Sequence, residues 1–289
     1  MPNKLSVVLS TINEESNIKG CLESVKEIVD DIVVMDESST DRTREIAIGL
    51  GARVYKVKHE PIFHITKQKA IDAANENWVL QLDADERVTP SLGKEILEII
   101  NLSSDEIRKR KFPNKRKERL FREHQRLLEG RDGKIGKPSG EIVAFFIPRV
   151  NYFLGKPLIH AGVYPDGVIR LVKKGKARFP TKDVHEQIEI NGEVAWLFND
   201  LLHYDSPTLG RYLSRMGRYT DLRALKLKED FEGKSLGKFI YYFITKPVSV
   251  FLSLFLIHKG ILDGIRGFLW SYLSSLHYPV AFYKYLKTK

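Results

Sequence analysis

The chain has 289 residues, of which 43% are apolar, and a formal net charge of +10. This length allows one sizeable α/β core with an appendage, and the apolar content excludes a disordered chain. Cys21 is the only cysteine, which excludes an internal disulfide and a cysteine-rich zinc module and fits a reducing compartment.

Four short β-rich runs alternate with helix-compatible stretches in the first third of the chain. They lie at residues 5–10, 32–36, 52–57 and 78–82. Short, continuously apolar strands that alternate with helices favour a mostly parallel sheet covered on both faces. Such sheets bind ligands at the carboxyl ends of their strands. The sequence therefore predicts an α/β fold with a ligand site at one sheet edge.

Polar side chains follow three of these strands. Thr11 and Glu14 follow the first, Asp36 ends the second, and Asp83 and Asp85 follow the fourth. Because the carboxyl ends of parallel strands share an edge, these residues are expected to line one crevice. No Gly-rich dinucleotide fingerprint and no Walker-type phosphate loop is present, so neither a dehydrogenase nor a P-loop enzyme is supported.

The pair Asp83 and Asp85 is separated by one small residue, Ala84. Alternate residues of an extended backbone share a face, so the two carboxylates are expected to project together. Such a pair suits Mg²⁺ or Mn²⁺, which keeps open positions for phosphate oxygens. A solvated acidic turn is the alternative for an isolated Asp-x-Asp, but the preceding strand–helix alternation favours a metal–diphosphate site.

Two segments, residues 105–137 and 234–289, carry most of the positive charge. The first has several glycines and Pro138 near its end, which is typical of a mobile or helical surface excursion. A solvated loop, contact with anionic lipid and contact with an acceptor phosphate are all compatible with it. No recognised nucleic-acid module accompanies the charge, so no nucleic-acid partner is expected.

The second basic segment is also rich in aromatic residues. Residues 239–257 are apolar enough to suggest a membrane span, but Lys246 and Pro247 interrupt them and neither flank reaches the required length. We therefore predict monotopic helices on an anionic membrane surface, with a soluble subdomain or dimer interface as the alternative. The basic residues expected to face the lipid are Lys238, Lys246, Lys259, Arg266, Lys284, Lys287 and Lys289.

The polar strand ends also carry a family resemblance. Residues 5–15, 32–43 and 82–90 resemble family 2 glycosyltransferases, which have the nucleotide-sugar-binding fold called GT-A. Residues 149–155, 164–171, 184–186 and 201–204 resemble the branch that includes bacterial lipopolysaccharide core β-glycosyltransferases. The resemblance covers about residues 4–100 and 142–280.

The resemblance implies a GT-A nucleotide-diphospho-sugar transferase fold, Rossmann-like and mostly parallel, with a C-terminal helical membrane-associating appendage. Four parts are predicted, in chain order: a nucleotide-sugar-binding half at 1–104, a basic insertion at 105–140, an acceptor-side half at 141–205, and a helical membrane-interface region at 206–289.

The resemblance also implies roles for the donor-site residues. Asp36 would bind the donor base, and a carboxylate can accept the imide hydrogen of uracil, although a helix-capping role is the alternative. Thr11 and Glu14 match positions that hold base and ribose. Lys67 matches the family's basic residue near the donor phosphates, and Lys69 is its rival.

Four further residues are assigned on the same basis. Asp83 and Asp85 would bind the divalent metal, and His185 would ligate it, stabilise the departing phosphates or line the site wall. Arg170 could bind diphosphate oxygens as a bidentate fork. An ion pair with Asp166, four residues before it, is equally compatible with the sequence.

An inverting transfer needs a base that deprotonates the acceptor hydroxyl, and a carboxylate is the usual provider. Glu186 is the predicted base, although this branch has His-Glu where other family 2 enzymes have Glu-Asp. His203 has a weaker claim to any role in the site.

The predicted function is metal-dependent, inverting transfer of a sugar from a nucleotide sugar, expected to be a UDP-sugar. The acceptor would be a membrane-bound glycan such as lipopolysaccharide core. No signal-peptide pattern is present at the amino terminus, so the enzyme is expected on the cytoplasmic face of the inner membrane, peripheral or monotopic.

Three other functions fit less well. A polyprenyl-phosphate glycosyltransferase would use an ionised acceptor and need no general base. A nucleotidyltransferase would release pyrophosphate, but its basic activating loop is missing near residues 11–16. A non-catalytic sugar- or lipid-binding scaffold would not need the acidic residues at the strand ends.

Overall fold

The computed structural model describes residues 2–180, 188–230 and 235–287. It forms two compact units. The sheet unit comprises Met1–Arg149 and Pro165–His203, and the helical unit comprises Val150–Tyr164 and Tyr204–Lys289. The predicted residues His185, Glu186 and Lys289 lie outside the described part of the chain.

The strands are β1 Leu5–Thr11, β2 Asp31–Asp36, β3 Arg53–Lys56, β4 Trp78–Leu82, β5 Glu86–Val88, β6 Ile142–Phe153, β7 Lys156–Pro157, β8 Asp166–Lys173, β9 Ala177–Arg178, β10 Glu189–Ile190, β11 Glu193–Trp196 and β12 Leu201–Ser206. The α-helices are α1 Ile18–Val25, α2 Thr43–Gly49, α3 Phe63–Asp72, α4 Pro90–Ile99, α5 Ser104–Lys109, α6 Lys115–Asp132, α7 Leu209–Asp230, α8 Leu236–Ile240, α9 Lys246–Leu252 and α10 Gly264–Lys287. Tyr241–Thr245 and Ser253–Ile257 are π-helical, and Gly260–Asp263 is a 3₁₀ turn.

The main sheet has the strand order β3-β2-β1-β4-β8-β6-β12-β5. The four strands predicted from the sequence are β1 to β4, and they pair in parallel in the order β3-β2-β1-β4. β8 runs antiparallel to both β4 and β6. The sheet is therefore mixed, and the predicted GT-A type of α/β fold is confirmed. The carboxyl ends of β1, β2 and β4 lie at one edge, as expected.

The core of the sheet unit lies between the central strands and their covering helices. Residues of β1 and β4 such as Leu9 and Leu82 are fully buried, and Leu22 of α1 packs into the same cluster. Continuous apolar strands of this kind are typical of a sheet covered on both faces. This rigid layer fixes the positions of the polar residues that follow β1, β2 and β4.

The basic insertion forms two capped helices and is packed on the sheet unit. Ser103 and Glu106 make a capping box at α5, and the Asn114 side chain accepts from the Lys117 N–H at the start of α6. Phe121 of α6 is fully buried, and its ring stacks on Trp196 with centroids 4.5 Å apart. Of the two sequence alternatives, the helical one is observed.

The helical unit corrects one expectation about the membrane segment. The sequence predicts that Lys246 and Pro247 interrupt the apolar run, but residues Leu236–Ile257 form one helical run of 22 residues. Pro247 lies in the first turn of α9, directly after a π-helical turn, where a missing N–H is tolerated. By length and composition this run could cross a membrane, and it is the one such helix within the described residues.

Candidate active site

Asp83, at the carboxyl end of β4, is the centre of a cluster of charged side chains. The Lys67 Nζ lies 2.6 Å from Asp83 Oδ1, and Arg170 Nη2 donates to the other carboxylate oxygen. Lys67 comes from α3 and Arg170 from β8, next to β4 in the sheet. The structure thus brings three predicted donor-site residues together, and the rival Lys69 pairs with Glu60 at the surface.

The protonation of this cluster follows from its burial and its charges. Burial alone would raise the pKa of Asp83, but Arg170 and Lys67 hold that pKa well below its usual value. Burial lowers the pKa of Lys67, although Asp83 opposes that effect. The cluster thus holds an ammonium and a guanidinium beside Asp83, and both groups can bind phosphate oxygens.

A second layer of charges holds Arg170 in place. Glu86 Oε1 accepts from Arg170 Nη2 at 2.8 Å and from Arg149 Nη1 at 3.1 Å. Arg149 Nη2 also lies 2.6 Å from Asp166 Oδ2. Asp166 therefore pairs with Arg149 rather than with Arg170, and the guanidinium of Arg170 is directed to Asp83, Glu86 and Gln81. This arrangement preorganises Arg170 at the strand edge.

Asp85 lies beside His203, a residue for which the sequence supports only a weak claim to the site. The His203 Nε2 is 3.5 Å from Asp85 Oδ1. Their proximity follows from the pairing of β12 with β5, in which His203 is opposite Glu86. Burial lowers the pKa of His203 to about 4, and the nearby Arg149 acts in the same direction. The imidazole is therefore neutral at pH 7.

A neutral imidazole nitrogen and a carboxylate oxygen that face each other are a suitable donor pair for Mn²⁺ or Mg²⁺, with Mn²⁺ the better match to the nitrogen. The 3.5 Å between the two atoms is close to the separation of adjacent ligands around one ion. Asp85 and His203 thus fit the predicted metal. Each oxygen of Asp83 already faces a cation, so Asp83 would join them through an oxygen that it shares with Lys67 or Arg170.

The predicted base-binding residues lie at the ends of β1 and β2. Asp36 is fully buried and accepts from the Ser39 N–H at 2.9 Å and from the Ser39 hydroxyl. The Thr11 hydroxyl donates to the same carboxylate at 3.3 Å. Glu14 lies on the loop that follows β1, and its Oε2 accepts from Asn17 at 2.7 Å. The structure brings Thr11 and Asp36 into contact.

The segment that carries His185 and Glu186 lies outside the described residues, and Phe179, shortly before it, packs on α3. The Phe179 ring stacks on His64 with centroids 4.9 Å apart, and the Phe179 N–H donates to Gln68 Oε1 at 2.8 Å. His64 and Gln68 belong to α3, the helix that carries Lys67. Phe179 is therefore held against the helix that carries Lys67.

Sequence reasoning misses the supporting residues Glu86 and Arg149. Glu86 directly follows the Asp-x-Asp pair, and in the sequence it is indistinguishable from the rest of that acidic run. Its complete burial, with two arginine partners, depends on tertiary packing that brings Arg149 of β6 and Arg170 of β8 to β5. The one local signal is the density of acidic residues, since Asp83, Asp85 and Glu86 fall within four positions.

Residues 6–148 match the sequence family described as Glycosyl transferase family 2. An uncharacterized glycosyltransferase of Rickettsia typhi is 26% identical over 274 residues, which cover 92% of this chain and 80% of the relative. The lipopolysaccharide core biosynthesis glycosyltransferase LpsC of Rhizobium meliloti is 24% identical over 285 residues, covering 94% of this chain and 90% of LpsC.

Solved structures of Mycobacterium tuberculosis glucosyl-3-phosphoglycerate synthase also align with the chain. The complex with Mn²⁺, UDP and glucosyl-3-phosphoglycerate is 19% identical, covers 78% of this chain and 79% of the synthase, and has a TM-score of 0.43. The complex with Mn²⁺, UDP-glucose and glycerol 3-phosphate is 30% identical over a shorter alignment. It covers 29% of this chain and 34% of the synthase, with a TM-score of 0.27.

Proposed function

We propose that this chain, which belongs to glycosyl transferase family 2, transfers a sugar from a nucleoside-diphosphate sugar to a hydroxyl of a membrane-bound glycan, with inversion and with a divalent metal. The observation that carries the proposal is the charge cluster at the carboxyl end of β4. There Lys67 and Arg170 converge on Asp83 while Asp85 faces His203.

Lys67 and Arg170 would bind the donor diphosphate. In the structure their positive charges are balanced by Asp83 and Glu86. A diphosphate offers several oxygens to a guanidinium fork and an ammonium, so both cations can contact it with small side-chain rotations. Asp36, with Thr11 and Glu14 nearby, would seat the base, which requires Ser39 to share the Asp36 carboxylate with the ring imide. The family resemblance favours uracil.

Asp85 and His203 would hold the metal, with Asp83 and His185 as further ligands. When bound, a divalent metal neutralises charge on the departing nucleoside diphosphate. Charge–charge attraction from Lys67 and Arg170 would act on the same leaving group. Because both residues are buried, their fields are screened less than those of surface cations.

Glu186 would act as the general base. The acceptor oxygen forms the new bond to the anomeric carbon as its proton passes to the Glu186 carboxylate. The bond from that carbon to the β-phosphate oxygen breaks, and its electron pair leaves with the nucleoside diphosphate. The contacts of Phe179 with His64 and Gln68 support this role, because Phe179 lies shortly before Glu186 in the sequence and α3 also carries Lys67.

The acceptor we propose is a lipid-linked glycan such as lipopolysaccharide core, reached from the cytoplasmic face of the inner membrane. The likeness to LpsC over most of the chain supports this acceptor class. The apolar helical run in the helical unit supports membrane association, with anionic lipid as the partner surface. No nucleic acid takes part in the proposed reaction.

The first test is the thermal stability of the purified chain with UDP, GDP, CDP or dTDP, each with and without Mn²⁺. A ligand that binds only the folded state raises its apparent stability. We expect a metal-dependent rise with UDP that Asp85→Ala abolishes and that Asp105→Ala, a change at an exposed surface carboxylate, leaves intact. Stability that does not change with any nucleotide would contradict the transferase site and favour a scaffold.

The nature of the acceptor is tested by Glu186→Gln, with Glu189→Gln on the neighbouring strand β10 as control. Loss of a general base lowers the turnover rate by about two to four orders of magnitude when the acceptor is a hydroxyl. An acceptor that is already ionised, such as a polyprenyl phosphate, would leave the rate nearly unchanged. Nearly intact activity of the Glu186→Gln enzyme would therefore contradict a hydroxyl acceptor and indicate a phosphate acceptor.

A further inference from the structure

The C-terminal part of the helical unit is a hairpin of two antiparallel helices. Its first arm is the run Leu236–Ile257 and its second arm is α10. Ring contacts set the direction of the arms: Tyr242 stacks on Phe282 at 4.7 Å, and Phe251 packs against Phe268 at 5.7 Å. The arms meet at a closed end, defined here as residues 256–265.

The closed end exposes large aliphatic side chains. Its exposed members have relative exposures between 54% and 74% and are Leu256, Ile257, Ile261, Leu262 and Ile265. Half-exposed aromatic rings extend this surface along both arms, with Phe255 and Phe268 in contact at 5.8 Å. Contiguous apolar surface of this kind marks a binding face for a protein or a membrane.

Asp263 in the closed end and Arg266 directly after it have partners within the helical unit. Asp263 accepts from the backbone N–H groups of Ile159 and His160 and lies 2.8 Å from His160 Nδ1. Arg266 Nε donates to the Leu154 carbonyl at 3.2 Å. These groups therefore keep their partners when the aliphatic side chains leave water, which removes the main cost of burying polar groups. The long stem of Lys259 allows its ammonium to reach the headgroups.

The charged helix α7 limits how much of the hairpin can enter hydrocarbon. Tyr212, in its first turn, packs on Trp270 with centroids 5.7 Å apart, and later residues of α7 follow α10 toward its C-terminus, where Lys284 pairs with Asp221. The basic residues of α7 are Arg211, Arg215, Arg218, Arg223, Lys226 and Lys228. Charges are costly in hydrocarbon, so the insertable part ends near Trp270.

The geometry gives the depth of insertion. Ile265 precedes Trp270 by five residues, which is about 7.5 Å along a helix, and the turn before it adds a few more ångströms. An insertion of about 10 Å matches the depth at which interfacial helices lie. The first arm, Leu236–Ile257, is long enough to span a bilayer. To do so, however, it would have to carry the second arm, α10, and the charged helix α7 into the hydrocarbon.

We infer that the hairpin inserts into one leaflet of an anionic bilayer, closed end first, to a depth of about 10 Å. This inference deepens the proposed membrane association and rests on it. The bilayer is favoured as the occupant because, apart from His258 and Lys259, the exposed large side chains of the closed end are aliphatic. Lys238, Lys246, Lys284 and Lys287 lie farther along the two arms, an order that matches hydrocarbon followed by anionic headgroups.

Depth is measured with nitroxide labels on single introduced cysteines. Cys21 is fully buried and burial raises the pKa of its thiol, so labelling is confined to the new site. The sites are Leu262→Cys at the closed end, Ile244→Cys near the open end, and Leu127→Cys on α6, which is as exposed as Ile257 but lies in the sheet unit. The vesicles contain equal parts of phosphatidylethanolamine and phosphatidylglycerol.

We expect the label at 262 to gain oxygen accessibility and lose nickel-chelate accessibility on vesicles, the label at 244 to lie shallower, and the label at 127 to stay aqueous. Equal depth at 262 and 244 would overturn closed-end insertion in favour of a hairpin lying flat. An aqueous label at 262 on bound protein would overturn it in favour of attachment through basic residues alone.

Flotation of unlabelled variants gives an independent measure. Leu262→Glu should lower the vesicle partition coefficient about tenfold or more, and Leu127→Glu should leave it unchanged, with thermal unfolding used to verify that both fold. Failure of the wild-type chain to float would overturn the membrane association itself. Normal flotation of the Leu262→Glu variant would overturn only the closed-end insertion. A wild-type dimer in solution that Leu262→Glu dissociates would identify a second copy as the occupant.

Discussion

Lys67 and Lys69 lie two residues apart on α3, yet their ammonium groups have different surroundings. Lys67 is buried against Asp83, whereas Lys69 pairs with Glu60 at the surface. Because a charge-assisted hydrogen bond to phosphate contributes about 1.5–3 kcal/mol, Lys67→Met should weaken binding of UDP with Mn²⁺ about tenfold or more. Titration calorimetry measures this change.

Lys69→Met is the matched control and should alter that affinity less than about twofold, since exposed ion pairs contribute little. Equal losses of affinity in the two variants would mean that α3 attracts the nucleotide by its overall positive charge and not through a specific contact with Lys67. If only Lys69→Met lost affinity for UDP with Mn²⁺, the phosphate contact would be made by Lys69 and not by Lys67.

At the same scale, the sequence indicates some site residues and hides others for a clear reason. Asp83 and Asp85 are visible because they directly follow a strand whose apolar run ends at Leu82. His203 is hidden because its proximity to Asp85 depends on the pairing of β12 with β5, more than one hundred residues earlier in the chain. No local pattern encodes that register, which is set by tertiary packing.

At the scale of elements, α6 is held to the sheet unit mainly by one face. Phe121 lies between Phe112 and Trp196, and Lys117 donates to the Phe198 carbonyl at 2.8 Å. Truncating a buried phenylalanine costs about 3–5 kcal/mol, so Phe121→Ala should lower the free energy of unfolding by that amount. Urea denaturation followed by tryptophan fluorescence measures it.

Leu127→Ala, on the exposed side of the same helix, provides the comparison and should change stability by less than about 0.5 kcal/mol. If the two variants were equally stable, α6 would be a loosely attached excursion, as in the solvated-loop alternative.

Element boundaries show the same division between local and non-local information. The four predicted strands are found within one or two residues of β1 to β4 because their apolar runs are continuous and bounded by polar residues. The helical run through Pro247 is not predictable in this way, because a proline normally ends a helix and the π-helical turn before it has no sequence signature.

At the scale of the whole molecule, stability should depend on pH through a set of hydrogen bonds around Asp31 that joins β1, β2, β3 and the loop after α3. Asp31 accepts from Arg53 Nε at 2.8 Å, from the Ser6 hydroxyl at 2.8 Å and from the Asn75 N–H at 3.0 Å. Burial alone would raise the pKa of Asp31, but these hydrogen bonds, led by that from Arg53, lower it.

A carboxyl whose folded pKa is depressed adds stability above its unfolded pKa, about 3.9, and loses that contribution as pH falls through the folded pKa. The stability difference between the wild type and Asp31→Asn should therefore be constant near neutral pH and shrink below about pH 4. Urea midpoints measured across this range give the difference. If the stability difference between the wild type and Asp31→Asn stayed constant in acid, the effect of the substitution would come from packing alone.

Gly167 gives the basic insertion a significance that its surface charge does not suggest. A Cβ at this position would overlap the Trp196 ring and lie 2.9 Å from His124 of α6. His124 of the insertion therefore packs closely against the start of β8, three residues before Arg170. A relative that received this helix by grafting would also need the glycine, because a larger residue there would disturb the packing of β8, the strand that carries the proposed donor-binding residue Arg170.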